Sequence, residues 1–164
     1  IALGPLDGRY RGVTAPLVDF LSEAALNRAR VHVEVEWLIY LVQNEVLPGA
    51  PSLTDDDVAY LRSIPVTFGA EEITEMAEIE AETRHDVKAV EYFLKERMEP
   101  LGLGAYAEFI HFGLTSQDIN NTAVPLSLRE ALEQTYLPAL AALRDRLDPD
   151  RAFRNPYLGR VLGE

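Results

Sequence analysis

The sequence predicts an all-α protein, and two observations support this prediction. Apolar residues recur at helical spacing, most clearly at Val31, Val35, Leu38 and Val42, which would form one buried stripe of a helix. Helix-starting residues alternate along the chain with proline and glycine stops, and no repeat, low-complexity segment or convincing strand pattern occurs. A chain of 164 residues is long enough to bury a sizeable core.

Composition excludes several kinds of site and partner. The sequence has no cysteine, which excludes disulfides, thiolate metal ligands and cysteine nucleophiles. The net charge of -12 disfavours nucleic acid as a partner, because its phosphates would be repelled. No apolar run approaches the roughly 20 residues that cross a membrane, and no leader-like segment opens the sequence. We therefore expect a cytoplasmic protein that binds neither membrane nor nucleic acid.

In the first part of the chain, helix and strand patterns compete. Residues 1–16 are rich in glycine and proline and predict an irregular arm. A helix in two pieces is predicted over residues 18–47, ended by Pro48 and Gly49. Within it, residues 31–37 (VHVEVEW) alternate with period two, as a strand would. The length of the segment and the helix formers beside it favour a helix.

Later helices are predicted from their start and stop signals. Thr54 and Asp57 resemble a capping box, so a helix should begin there. The acidic segment 70–82 favours a helix by propensity. Asp86 would cap the next helix, which Pro100 would end.

The longest helix is predicted to run from Thr115 to about residue 147. Pro125 and Pro138 should bend it or break its hydrogen-bond ladder locally. After residue 147 the composition changes, and residues 148–164 predict an irregular tail.

The first of three polar motifs is residues 7–10 (DGRY). Gly8 permits a tight turn, Arg9 offers a forked donor to a carboxylate or phosphate, and Tyr10 offers a hydroxyl. A surface turn with an exposed arginine is the alternative interpretation.

The second motif, residues 83–86 (TRHD), lies between two predicted helices. Arg84 and the helix start favour an anion there. His85 could orient or protonate a phosphate, or assist a general acid. The alternative is that Asp86 is only a helix cap and His85 a surface residue.

The third motif, residues 113–118 (GLTSQD), begins the longest predicted helix. The hydroxyls of Thr115 and Ser116, beside free backbone N–H groups, suit a carboxylate or phosphate ligand. Thr115 and Asp118 would equally form an ordinary capping box. The asparagine pair at 120–121 is unusual in a helix and should line a cavity or pair with a neighbouring helix.

The remaining candidates have simpler interpretations. His111 is interpreted as a core histidine, His32 as a helix-surface residue and Trp37 as a core residue. The acidic run 55–57 is interpreted as a solvated helix start, with a metal site as the alternative. No P-loop, Rossmann glycine pattern, zinc-ligand spacing or nucleophile elbow is present.

Four stretches together resemble the adenylosuccinate lyases of the fumarase/aspartase superfamily. They are PLDGRY (5–10), VEVEWL (33–38), TRHDVKAVEYFLKE (83–96) and EFIHFGLTSQDINNTA (108–123). The resemblance extends over about residues 1–147, and the two longer stretches are highly specific. Fumarases and argininosuccinate lyases share the helical architecture but lack the combination of RHD with VEYFLKE.

The resemblance implies a fold and a reaction. Residues 1–112 would form the N-terminal helical domain of the fumarase/aspartase-type lyase fold, and residues 113–147 the start of its long central-bundle helix. The irregular tail over residues 148–164 would follow. The reaction would be the β-elimination of fumarate from adenylosuccinate, which gives AMP, and from the succinyl-carboxamide intermediate of purine synthesis. Neither a metal nor an organic cofactor would be used.

The resemblance also implies a binding site and an assembly. The substrate would be an anionic nucleotide, and His85 would assist the acid–base chemistry. The residues implied in substrate binding are Arg9, Tyr10, Arg84, His85, Asp86, Thr115 and Ser116. Related enzymes are homotetramers whose active sites combine segments from three subunits, so a homo-oligomer is implied.

Two parts of the family's catalytic machinery are not found in this sequence. They are the THGQ-type motif with the general-acid histidine and the SSxMPxKxN-type loop with the serine base. We therefore expect the chain by itself to be inactive. One hypothesis is that residues 148–164, in which NPYLGR faintly resembles the close of some relatives, come from elsewhere in a longer protein. The alternative function is a catalytically inactive helical module that binds an anionic nucleotide or assembles with partner chains.

Overall fold

The computed structural model describes residues 3–4, 7–46, 49, 52–99, 102–153 and 155–162. No strand occurs among these residues, so the all-α prediction is confirmed. The α-helices are, in chain order, α1 (Arg11–Thr14), α2 (Val18–Leu21), α3 (Glu23–Gln43), α4 (Asp55–Val66), α5 (Ala70–Thr83), α6 (Asp86–Met98), α7 (Ser116–Ala131), α8 (Leu137–Leu147) and α9 (Pro156–Leu162). Ala15–Leu17 and Leu103–Phe109 form 3₁₀ helices, and Leu132–Tyr136 form a π-helical turn between α7 and α8.

Helix α3 organises the fold, because α4, α6 and α7 all pack against it. Residues 31–37 are helical, and the predicted apolar stripe of α3 is buried. Ser22 separates α2 from α3 and caps α3 by accepting a hydrogen bond from the Ala25 N–H, which gives the two predicted pieces. α3 ends at Gln43, earlier than predicted, and Pro48, the predicted stop, lies outside the described residues.

The core lies between α3, α4, α5 and α6. Phe93 on α6 is fully buried, with the Phe68 ring edge-on to it and the Arg97 guanidinium above its face. Burying one such side chain contributes about 1.5–3 kcal/mol. The other large side chains buried in this core include Leu38, Ile39, Leu61, Met76, Leu94 and Met98. This packing fixes the position of α6 and of the turn before it.

Most of the predicted helix starts are confirmed. Thr54 and Asp57 form a complete capping box at the start of α4, and α5 covers the predicted acidic segment. The prediction that Asp86 caps α6 is wrong. His85 is the cap, and Asp86 is the first helical residue. Pro100, the predicted end of this helix, lies outside the described residues.

Two segments predicted to be irregular are partly helical. The arm contains the short helix α1, and the tail contains α9. Asp148 turns the chain back before α9, because its carboxylate accepts hydrogen bonds from the N–H groups of Ala152 and Phe153. As a result, α9 contacts α8. Helices this short carry too few turns for a readable hydrophobic period.

The long C-terminal helix is interrupted at one of its two prolines. Pro125 lies within α7, which continues through it. Pro138 follows the π-helical turn, which accommodates the missing proline N–H. Every residue of α8 is at least partly exposed, so this end of the helix projects from the core. None of the helices in the described parts of the chain is long and apolar enough to cross a membrane.

Candidate anion-binding site

The turn between α5 and α6 contains the second polar motif. α5 ends at Thr83, and Arg84 adopts a left-handed conformation with φ of 57°, which turns the chain sharply. His85 is extended and begins the next helix as its cap. The Arg84 and His85 side chains are exposed, so both can reach a ligand.

The helix cap determines which nitrogen of His85 faces solvent. Nδ1 accepts a hydrogen bond from the Lys88 N–H at 3.1 Å. In a neutral imidazole one nitrogen accepts and the other carries the proton, so the proton lies on Nε2. Within the described part of the chain, Nε2 has no hydrogen-bond partner, and the side chain is 52% exposed. Nε2–H is therefore available to donate to a ligand oxygen.

Asp86 is held by a cation from another helix. Its Oδ2 accepts a hydrogen bond from Arg30 Nη2 at 2.7 Å. Burial works to raise the pKa of Asp86, but the Val87 N–H and Arg30 together bring that pKa below its ordinary value. The carboxylate is therefore charged and engaged by Arg30.

Helix α7 begins with the third motif, and the predicted capping box is confirmed. Thr115 Oγ1 and the Thr115 N–H both donate to Asp118 Oδ2, at 2.7 and 2.8 Å. These bonds lower the pKa of Asp118. The Asp118 N–H donates in turn to Thr115 Oγ1 at 3.3 Å. The half-buried Ser116 hydroxyl has no hydrogen-bond partner among the described residues, so of the two hydroxyls it is the one open to a ligand.

Arg30 links the second motif to α7, the helix that the third motif begins. Its Nε donates to Asn120 Oδ1 and its Nη1 to Asn27 Oδ1, both at 2.9 Å, while Nη2 holds Asp86. Asn120 lies one helical turn after Ser116, so both are on one face of α7. The guanidinium thus brings the starts of α6 and α7 together on α3. Asn120 pairs with a neighbouring helix, which is one of the two predicted alternatives for the asparagine pair.

The loop before α7 is anchored to α3 by a buried carboxylate. Glu34 is fully buried, and its Oε2 accepts a hydrogen bond from the His111 N–H at 3.1 Å. Its Oε1 lies 2.5 Å from His111 Nδ1. Burial raises the pKa of Glu34 above its ordinary value, and the interactions with His111 counter this only in part. His111 is thus hydrogen-bonded, as predicted, but it is half-buried at the edge of the core rather than inside it.

A second anchor lies one turn further along α3. Trp37 Nε1 donates to the Phe112 carbonyl at 2.9 Å, and its ring stacks on Tyr40. Trp37 is half-buried, which corrects the prediction that it is a core residue. His32, predicted to lie on the helix surface, is half-buried and lines a surface groove of about 530 Å³ between α3 and α7.

The first motif makes no hydrogen bond or ion pair with the described residues of the other two. Arg9 and Tyr10 are exposed, and the Arg9 guanidinium lies 5.7 Å from the centre of the Tyr10 ring. Among the described residues, no hydrogen bond or ion pair joins either of them to residues 83–86 or to α7. Pro5 and Leu6, the start of the PLDGRY stretch, lie outside the described residues.

The residues of α3 that hold this site were not predicted from the sequence. Asn27, Arg30 and Glu34 follow one another at helical spacing, beside the buried apolar stripe of the same helix. Charged residues on a buried helix face need partners, and that pattern was the available signal. Within the described ranges, no group of three or more His, Cys, Asp or Glu residues is arranged to hold a metal ion.

Comparison with known proteins identifies the family. The sequence profile described as "Lyase" matches residues 8–154. The chain belongs to the lyase family. Adenylosuccinate lyase of Dictyostelium discoideum is 43% identical over 171 residues, covering 99% of this chain and 36% of that protein. Adenylosuccinate lyase of Escherichia coli strain K12 is 40% identical over 166 residues, with the same two coverages. The enzyme of Legionella pneumophila strain Corby is 38% identical over 143 residues, covering 87% of this chain and 31% of that protein.

These comparisons confirm the resemblance that the motifs indicated. The helical architecture is that of the all-α N-terminal domain of the lyase fold. The chain spans about a third of the length of the curated relatives that it matches. The division at residues 112 and 147, the origin of the tail and the roles of the site residues stay predictions for this lyase chain.

Proposed function

We propose that this chain supplies part of the nucleotide-binding site of an adenylosuccinate lyase. The whole protein would eliminate fumarate from adenylosuccinate, giving AMP, and from the succinyl-carboxamide intermediate of purine synthesis. The observation that supports the proposal is the Arg30 junction, in which one guanidinium binds Asp86, the residue after His85, and Asn120, one helical turn after Ser116.

An anion suits this junction for electrostatic reasons. The starts of α6 and α7 both present backbone N–H groups and the positive ends of helix dipoles. Arg84 adds an exposed cation, His85 an Nε2–H donor, and Ser116 an unpartnered hydroxyl. In a chain with net charge -12, such a local group of donors is where a phosphate or carboxylate would bind. Thr115 would contribute to anion binding indirectly, by capping α7.

The same groups suggest which part of the reaction this chain would assist. Elimination removes a proton from one CH₂ carbon of the succinyl group and breaks the bond between the neighbouring carbon and the nitrogen. Fumarate then leaves, and the nitrogen is protonated. His85 would assist by donating from Nε2 to the phosphate or to a carboxylate that gains charge. The principal acid and base would come from other segments of the whole protein.

Assembly is part of the proposal. Arg9 and Tyr10 are exposed and would reach the nucleotide from another subunit of a homotetramer. The exposed Leu143 and Leu147 of α8 support burial of that helix in an assembly. We place the protein in the cytoplasm, and the lack of cysteine is consistent with that location.

The projecting helix α8 also favours the second candidate function, a catalytically inactive helical module. All of its residues are at least partly exposed, which is the surface expected of a segment that docks on partner chains. Such a module would bind an anionic nucleotide or assemble without catalysing elimination.

Titrating AMP into the chain tests the binding site. His85→Ala and Ser116→Ala should each weaken binding by roughly tenfold or more, because hydrogen bonds to charged groups are worth about 1.5–3 kcal/mol. Calorimetry would measure the affinity of each variant for AMP. His32→Ala, which alters a histidine in the groove between α3 and α7, is the matched control and should bind like the parent. Unchanged affinity in both site variants would count against the proposed site.

An absorbance assay of adenylosuccinate breakdown separates the enzyme from the inactive module. We expect activity from the longer protein and none from the 164-residue chain, because the proposed acid and base lie outside it. Inactivity of both, together with AMP binding by the chain, would favour the module and reject the lyase proposal.

A further inference from the structure

Arg30 is a buried arginine on α3, with only 8% of its side chain exposed. Its nitrogens donate to Asn27 within α3, to Asp86 at the start of α6 and to Asn120 on α7. A planar guanidinium can hold several acceptors in fixed directions, whereas a lysine ammonium cannot reproduce that fork. The side chain therefore connects three helices through a single rigid group.

We propose that Arg30 is a positioning residue that sets the separation of the α6 and α7 starts for an anionic nucleotide. This inference rests on the proposed function and deepens it. Arg30 would act through Asp86 and Asn120 without touching the ligand, so that the His85 Nε2–H and the Ser116 hydroxyl can meet one phosphate or carboxylate. Asp86 would then be a structural counter-ion rather than a substrate contact.

Two physical arguments support this role. Both α6 and α7 pack on α3, so a group on α3 that binds both controls their relative position. The Asp86 carboxylate is half-exposed and charged, and it lies next to His85, where it would repel an incoming anion. Pairing with the Arg30 guanidinium neutralises that charge. One side chain thus holds the geometry and removes the repulsion.

The absence of cysteine from the sequence permits a direct distance measurement. Spin labels on Lys88→Cys in the first turn of α6 and on Gln117→Cys at the start of α7, both exposed, would report the separation of the two helix starts by pulsed electron spin resonance. The parent should give a narrow distribution. Asn120→Leu, which keeps the volume but removes the acceptor, should broaden or shift it by several ångströms. Asn120→Asp, which keeps an oxygen acceptor for Arg30 Nε, should restore the narrow distribution.

Arg30→Met should broaden the distribution further, since it releases both helix starts. Arg62→Met, which breaks the exposed pair of Arg62 with Glu36 between α3 and α4, is the control and should leave it narrow. Circular dichroism would establish that each variant is folded. If Arg30→Met fails to fold, the comparison of Asn120→Leu with Asn120→Asp decides alone. A distribution in Asn120→Leu as narrow as in the parent would overturn the proposal.

AMP affinity, measured on the same proteins, separates this inference from the proposed function. We expect Asn120→Leu to weaken AMP binding by roughly tenfold and Asn120→Asp to recover most of it. If the parent binds AMP and Asn120→Leu binds it equally well, Arg30 is not a positioning residue, whereas the nucleotide site stands. If the parent binds no AMP but the label distances change as expected, the nucleotide site is rejected and Arg30 still sets the separation of the two helix starts.

Discussion

Replacing Glu34 with alanine should lower the free energy of unfolding by about 3 kcal/mol, a large share of a typical domain's stability. The substitution leaves the half-buried His111 N–H and imidazole without their carboxylate partner. An unsatisfied buried donor alone costs about 1–3 kcal/mol, and the cavity left by the side chain adds to this. Urea unfolding followed by circular dichroism would measure the loss.

Glu34→Gln is the matched control, because glutamine has nearly the same shape and keeps an acceptor oxygen for the His111 N–H. It should cost less than about 1 kcal/mol, since the buried hydrogen bond survives and a buried charge is removed. Equal losses in the two variants would show that the carboxylate charge, and not the hydrogen bonding and packing, stabilises the loop before α7.

The same pair of proteins has an expected pH dependence. Burial raises the pKa of Glu34, so folding favours its protonated form. The stabilisation that the protonated Glu34 gives the folded state is fully present below pH 4.5, the pKa of the unfolded chain. It is lost as the pH rises through the folded pKa. The stability of the parent relative to Glu34→Gln should therefore increase as the pH falls from neutral towards 4.5. A difference that is constant over this range would contradict the raised pKa.

The second large effect is expected from Asp86→Ala, which should cost about 2 kcal/mol at neutral pH. The change leaves the buried Arg30 guanidinium without its counter-ion. Breaking a fully buried pair costs about 3–5 kcal/mol. The smaller value follows because Asp86 is 47% exposed, so water can replace part of the interaction. Chemical denaturation at neutral pH would measure the loss.

The effect of Asp86→Ala should disappear in acid. The pKa of Asp86 is lowered in the folded protein, so its contribution is present above the unfolded value of 3.8 and is lost as the pH falls through the folded pKa. Glu36→Ala is the control, because its partner Arg62 is exposed and the pair is open to solvent. Glu36→Ala should therefore lower the free energy of unfolding less than Asp86→Ala does. Equal losses of stability would show that burial of the Arg30 guanidinium does not explain the effect of Asp86→Ala.

Local signals explain how much of the fold could be predicted from the sequence. The Thr54 capping box and the acidic segment that forms α5 both depend on residues within a few positions of one another. The helix over residues 31–37 was favoured over a strand because of its length and its neighbours. Helices α1 and α9 were missed because neither is long enough to show a hydrophobic period.

The candidate site was predictable as three motifs but not as an arrangement. Asp86 and His85 can both cap a helix; in the structure His85 is the cap, and the Asp86 carboxylate binds Arg30, which lies 56 positions earlier. The bond from Arg30 to Asn120 spans 90 positions. Contacts over such separations leave no local pattern. The sequence could therefore locate the polar residues of α6 and α7 without revealing the arginine on α3 that connects them.

The hydrogen bond that caps α6 limits the part that His85 can take in a catalytic cycle. The elimination proposed for the whole protein is the reverse of an addition, so a group that delivers a proton in one direction must recover it at the same atom. A neutral imidazole can accept a proton at Nε2 only when its single hydrogen is on Nδ1. In His85, Nδ1 instead accepts the hydrogen bond from the Lys88 N–H, so it carries no hydrogen. While the cap of α6 is intact, His85 can bind and orient an oxygen through Nε2–H but cannot carry protons back and forth.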